Sequence, residues 1–220
     1  MKAPIWAFSA AVFFVASCSG STGNEAQQTT SDQKTTASTD ASEAEGSYDG
    51  PFGLKMGERV SELHFADGED DPSEARLLES VPRPMAELEK YAVLAYPDVG
   101  ICEIRSVSKT FDSDAYGNNV RPAIDEVAKL LDAKYGHHKK MAACGGYSCQ
   151  FFQMNLKNGS QVYAYEWSKA TGAHLPPDIS EVSLGAMAGE FNDTFYRLDY
   201  TSSHKEECDR AKEGLKAKSL

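Results

Sequence analysis

The stretch CQFFQMNLKNGSQVYAYEW, residues 149–167, decides how the chain is read. Its centre is Asn158-Gly159, a dipeptide that readily takes the positive φ angles of a two-residue hairpin turn. Apolar residues alternate with polar ones on either side. The turn would set Lys157 opposite Ser160 and fix the register outward from there. Phe152, Met154, Leu156, Tyr163, Tyr165 and Trp167 then share one face. Phe151, Gln153, Asn155, Val162, Ala164 and Glu166 share the other. The first set is a core face and the second is mixed, as expected of an antiparallel sheet with one side on a core.

The neighbouring segments fit the same plan. On the N-terminal side, VRPAIDEVAKLLDAKYG (residues 120–136) is a clear helix. Ile124, Val127, Ala128, Leu131 and Tyr135 form an apolar stripe at helical spacing. Pro122 sits in the first turn, where its missing N–H does no harm, and Gly136 can take the left-handed conformation that stops a helix. Asp125 and Glu126 suit the positive end of the dipole, with Lys139 and Lys140 beyond the negative end. Farther upstream, a Pro-Asp-Val-Gly turn (97–100) predicts a hairpin of roughly 91–96 with 101–109. A short helix is expected near 58–63, where Met56, Val60 and Leu63 share a face. Downstream, a strand pair is expected near 179–187 and 194–201, then a polar helix from about Lys205. The order is helix, hairpin, helix, hairpin, hairpin, helix. It predicts an α+β domain: an antiparallel sheet of consecutive hairpins with one main helix packed on one face.

The domain so read spans residues 51–220, long enough for an independent core. Residues 19–50 hold no large hydrophobe except Tyr48 and cannot bury enough apolar surface to offset the entropy of ordering. Residues 18–50 therefore read as a flexible tether ending in a cysteine. Residues 1–17 read as a signal peptide: Lys2 is followed by an apolar run from Ile5 to Ser17, too short for a bilayer span of roughly 20 residues.

At the junction stands Val15-Ala16-Ser17-Cys18. An aliphatic residue, two small residues and a cysteine resemble the lipobox of bacterial lipoproteins. That resemblance implies cleavage before Cys18 and a diacylglyceryl group on its thiol. Acyl chains bury about 0.8 kcal/mol per CH₂, and two or more hold a protein stably on a membrane. Ser19, where Asp would favour retention at the inner membrane, implies an outer-membrane lipoprotein facing the periplasm if the cell has two membranes. The domain also resembles bacterial envelope proteins that carry no assigned activity, through Gly50–Gly57, Pro97–Ile104 and Tyr116-Gly117. The segment MGERVSEL (56–63) is similar to small outer-membrane assembly lipoproteins.

Five cysteines occur in the chain, and setting Cys18 aside leaves Cys102, Cys144, Cys149 and Cys208. An even set in an exported protein predicts disulfides. Four cysteines allow three connectivities. The local pair Cys144–Cys149, flanking GGYS, is preferred, and Cys102–Cys208 follows by elimination. A zinc site at Cys144 and Cys149 with His137 and His138 would need closer cysteine spacing and a further ligand pair, so no metal is expected. Asp67, Glu69 and Asp71 alternate like calcium ligands, but Pro72 and Leu78 stand where an EF-hand needs Gly and Glu. That segment, 66–74, reads as a solvated acidic loop.

Net charge is −11, of which 51–220 carries −7. Such a surface excludes nucleic-acid binding, which runs on Lys and Arg neutralising phosphates, and suits a cationic partner. No nucleophile elbow, zinc-binding HExxH or phosphate loop occurs, so no catalytic residue and no cofactor are assigned. His204 and Cys208 share a helical face, but a disulfide removes the thiol as a nucleophile. The row Tyr163, Tyr165, Trp167 could stack on sugars, though its position opposite Phe152 and Met154 places it in the core. The expected function is a membrane-anchored, non-enzymatic binding module for another envelope component. The alternative is a small-ligand-binding or enzymatic domain whose site the sequence hides.

Overall fold

The computed structural model describes residues 50–66, 74–145 and 148–218. The expected signal peptide, Cys18, almost all of the expected tether and the candidate calcium residues Asp67, Glu69 and Asp71 lie outside the described residues. Seven strands form one sheet: β1 (Arg76–Leu77), β2 (Leu88–Tyr96), β3 (Gly100–Ser108), β4 (Lys139–Cys144), β5 (Gln161–Ser168), β6 (Ile179–Ala188) and β7 (Thr194–Ser202). Their order is β1-β2-β3-β7-β6-β5-β4, and every neighbouring pair is antiparallel. Among the described residues three α-helices accompany it: α1 (Val120–Tyr135), α2 (Phe152–Lys157) and α3 (Lys205–Lys218). The class is α+β, with α1 as the main helix on one face. The chain meanders through β1–β3, crosses by α1 to the far edge, and meanders back until β7 pairs with β3.

α1 forms where its periodicity predicts. Ile124, Val127, Ala128, Leu131 and Tyr135 are all buried against the sheet. Gly136, at φ 84°, ends the helix with its N–H on the Asp132 carbonyl. The start is set by a residue outside the helix. Buried Asp114 accepts the N–H groups of Asn119 (3.1 Å) and Val120 (3.0 Å), two donors that a helix leaves unsatisfied. It also accepts the Thr194 hydroxyl at 2.7 Å, which ties the helix start to β7.

The inner face carries Val93, Ile104, Tyr165, Trp167, Val182, Leu184, Leu198 and Tyr200, all buried in one core. The hairpin predicted over 91–96 and 101–109 forms as β2 with β3; β2 starts three residues earlier, at Leu88, and β3 runs from Gly100 to Ser108. The segment predicted as helical near 58–63 is a 3₁₀ turn, Val60–Glu62.

Residues 149–157 depart from the expectation. Residues 152–157 form α2 rather than a strand, and β5 pairs instead with β4, a strand the sequence reading did not contain. With β4 and β6 on its two edges, β5 has no free edge for residues 152–157. A short helix then satisfies their backbone internally. Asn158-Gly159 still turns the chain, but as a helix stop: Gly159 has φ 73° and Asn158 Oδ1 accepts the Ser160 N–H at 2.9 Å. The facing of this segment changes accordingly. Phe152 is buried as expected, but Met154 is 54% exposed, while Gln153 and Asn155 are buried. Gln153 Nε2 donates to the Gly189 carbonyl (2.9 Å) and Asn155 Nδ2 to the Ser148 carbonyl (2.8 Å). On β5 the predicted facing holds: Tyr165 and Trp167 are buried beneath α1, and Tyr163 packs against the core.

Candidate interaction surface

Three loops meet at one end of the sheet. The segment after β3 pairs with β7 through Phe111 and Thr194, which exchange backbone hydrogen bonds of 2.8 and 3.1 Å. Asp193 Oδ1 accepts the Ser113 N–H (2.8 Å), and the Gln153 backbone N–H reaches the Ala115 carbonyl (3.0 Å). With the Gln153–Gly189 bond, these contacts lock the 111–117, 148–155 and 189–193 segments together. Arg121 reinforces them, donating to the carbonyls of Tyr116 (2.7 Å) and Gly117 (3.0 Å) with its guanidinium over the Phe152 ring. Gly117 is obligatory there, because a Cβ at this position would lie 2.3 Å from that ring.

This end displays apolar side chains to solvent. Tyr116 and Phe151 are exposed, with ring centroids 6.3 Å apart, and Met154 lies one helical turn from Phe151. Phe191 is 89% exposed at the tip of the β6–β7 loop. Phe191 and Asn192 occupy the two central positions of a turn closed by the Asp193 N–H on the Glu190 carbonyl (2.7 Å), at φ 44° and 72°. Such a turn favours Asn-Gly; a bulky residue at positive φ costs of order 1–3 kcal/mol. Ser113, at φ 54°, is on the same end. Thus three of the four non-glycine residues at positive φ among the described residues collect here. Sequence reasoning passed over Phe191; the available signal was an aromatic inside the otherwise polar GEFND loop.

A second polar assembly fastens α1 to the β4 edge. Asp125 Oδ1 accepts the hydroxyls of Tyr163 and Tyr165, both at 2.6 Å, and Lys140 Nζ lies 3.7 Å away. Burial opposes ionisation of Asp125, but the two tyrosine hydrogen bonds and the Lys140 charge outweigh it and hold the carboxyl below its ordinary range. Burial, with Asp125 beside it, pushes the Tyr165 hydroxyl upward. The Tyr165 and Tyr163 hydroxyls in turn raise Lys140. Two turns on, Asp132 Oδ1 is shared by His138 Nδ1 (2.7 Å) and Trp167 Nε1 (3.0 Å). The His138 ring stands edge-on to Tyr165 and Trp167, so this carboxylate–imidazole pair faces aromatic rings rather than a nucleophile. The row considered for sugar stacking, with Tyr165 and Trp167 buried and Tyr163 half-buried, is the wall of this seam.

The outer face of the sheet is divided. α3 lies over β2 and β3, where Ala211 and Leu215 pack on Tyr96 and the Cys102–Cys208 disulfide. The second disulfide joins Cys144 to Cys149 at a Cα–Cα distance of 5.9 Å. His137 and His138 are apart from both in role, and no group of three or more His, Cys, Asp or Glu suited to a metal ion occurs among the described residues. Toward β4 the outer face carries a shallow trough between Met141, Val162 and Met187 on one side and Arg197 and Asp199 on the other. Arg105 forms a two-pronged pair with Glu103 (2.7 and 2.8 Å), and Arg197 donates to Asp199 Oδ2 (2.7 Å). Asp199 is buried and its Oδ1 has no hydrogen-bond partner. Burial therefore pushes its carboxyl upward despite the neighbouring Arg197.

No protein family, characterised protein or solved structure matches the chain. No helix among the described residues is long and apolar enough to cross a membrane.

Proposed function

We propose that this protein is a lipid-anchored binding module of the cell envelope, held on the membrane through Cys18. Its partner is another envelope protein, which it contacts through the loop end bearing Tyr116, Phe151, Met154 and Phe191. Phe191 carries the reading. An aromatic ring almost wholly in water, on a turn whose backbone disfavours it, costs stability on two counts and packs nothing. Aromatic and methionine side chains are the residue types that anchor protein interfaces. Loops on a rigid sheet are where binding residues concentrate. The long polar segment between Cys18 and Gly50 gives the domain reach from the membrane. In a cell with two membranes the attachment site is the outer membrane, facing the periplasm.

A photo-crosslinking residue placed in intact cells at Phe191, Tyr116 or Met154 tests the surface. The same discrete adduct is expected from all three positions and not from exposed Leu77, on the β1 edge. Equal labelling from Leu77, or none from the loop end, overturns the surface. The anchor is checked separately: Cys18→Ser should move the protein to the soluble fraction, and full membrane retention would refute lipid attachment.

A further inference from the structure

Between α1 and the adjoining ends of β3 and β7 lies a groove of about 360 Å³. Its walls are Phe111, Ala123, Val127 and Leu130, with Tyr196 at its base. Only Phe111 is shared with the loop end described above, where its backbone pairs with Thr194; the exposed residues Tyr116, Phe151, Met154 and Phe191 take no part in the groove. The volume falls at the lower end of the range for small-molecule sites, and an apolar lining with few polar groups is their usual character. Leu130 forms an exposed lip that a ligand would cover.

Tyr196 distinguishes this groove from a plain apolar crease. The residue is only 2% exposed. Its backbone N–H donates to Ser108 Oγ at 3.0 Å, and its ring packs against Phe111 with centroids 6.4 Å apart. The Ser108 hydroxyl is spent on the Lys109 carbonyl (2.8 Å). The Tyr196 hydroxyl has no hydrogen-bond partner among the described residues. Burial, then the nearby Glu87 and Tyr91, pushes it up to about 12, so it keeps its proton and can donate. With no protein acceptor and on a residue that lines the groove, this hydroxyl is open to an acceptor carried by a ligand. The rim selects no ion: Glu87 and Lys109 are of opposite sign, and Glu126 is paired with Lys129 at 2.6 Å.

We propose that this groove binds a neutral, chiefly apolar small molecule that presents one hydrogen-bond acceptor to the Tyr196 hydroxyl. The site would make the protein a small-molecule binder in addition to its protein-binding role, and its test does not depend on that role.

Two probes of nearly equal shape separate the groove from the donor: acetophenone has a carbonyl acceptor, and ethylbenzene has none. Each is titrated into the full chain while the methyl signals of Val127 and Leu130 are followed by NMR. Saturable shifts are expected with both, with acetophenone binding roughly 2- to 10-fold tighter, the worth of one net hydrogen bond. Tyr196→Phe keeps the ring and should abolish that advantage while leaving ethylbenzene unchanged. Ala123→Leu fills the groove and should remove both responses. The proposal is overturned by the absence of saturable shifts up to the solubility limit. It is equally overturned by equal affinities for the two probes in the wild type, or by an acetophenone advantage that survives Tyr196→Phe.

Discussion

Asn155 and Met154 are adjacent, yet they should respond to truncation in opposite ways. Asn155→Ala strips a buried donor from the Ser148 carbonyl and should cost about 1–3 kcal/mol, the penalty of an unmade buried hydrogen bond. Met154→Ala, at an exposed position, should stay within about 0.5 kcal/mol. Urea titration of the two variants decides, and the opposite ranking would restore the strand reading of residues 152–157. Phe191→Gly should raise stability by about 1 kcal/mol, because glycine accepts the positive φ without strain. A thermal melt checks it, and a fall in Tm would mean that the ring packs on something in the folded state. Asp199 gives a pH-dependent result. Its carboxyl is raised in the folded state, so its contribution to stability is greatest below the ordinary carboxylate range and is lost as pH rises through the folded value. Wild type should therefore gain on Asp199→Asn as pH is lowered from 7 toward 4, since the shared groups cancel in the difference. A gap that instead widens against wild type on acidification would place the carboxyl below its ordinary range.

The elements differ in how far their sequence announces them. α1 was legible because its signal is complete within its own residues: a stripe, a start and a glycine stop. Its cap was not, since Asp114 acts from outside the helix and is buried only because Thr194 comes to it across the fold. Residues 149–157 misled because alternation over six residues fits a strand and a short helix equally well, and Asn-Gly serves both a hairpin and a helix stop. Only the occupancy of both edges of β5 decides between them, and that is a tertiary fact. β4 was missed for the converse reason. KKMAAC lacks the β-branched and aromatic residues of a strand, and as an edge strand it buries little. The aromatic loop end was illegible because it is assembled from three distant segments. α3 is a further case of dependence on the rest of the fold. Its described apolar contacts are few, and the Cys102–Cys208 bridge spans 106 residues. In the chain-entropy model a bridge of that span is worth about 4.7 kcal/mol. The double variant Cys102→Ala, Cys208→Ala should lose roughly 2–5 kcal/mol and show fast amide exchange through α3 while α1 stays protected. Undiminished protection of α3 would mean that its side-chain packing suffices without the bridge.

Across the whole molecule the strand order has its own logic. β7 sits in the middle of the sheet, between β3 and β6, although six strands and two helices precede it in the chain. It contributes Tyr196, Leu198 and Tyr200 to the core and pairs with a strand almost 100 residues upstream. Long-range pairing of this kind slows folding, because loop closure is incurred before the contacts reward it. Until residues 194–202 arrive, the β1–β3 and β4–β6 meanders each have an open inner edge, and the core between α1 and the sheet lacks its central strip. A chain threaded from its N-terminus through a narrow export channel would therefore stay unlatched until nearly all of it had passed. For a protein exported as proposed above, the late, central β7 would act as a timer: it would leave the polypeptide loose enough to translocate and commit the domain to its final shape only on the far side.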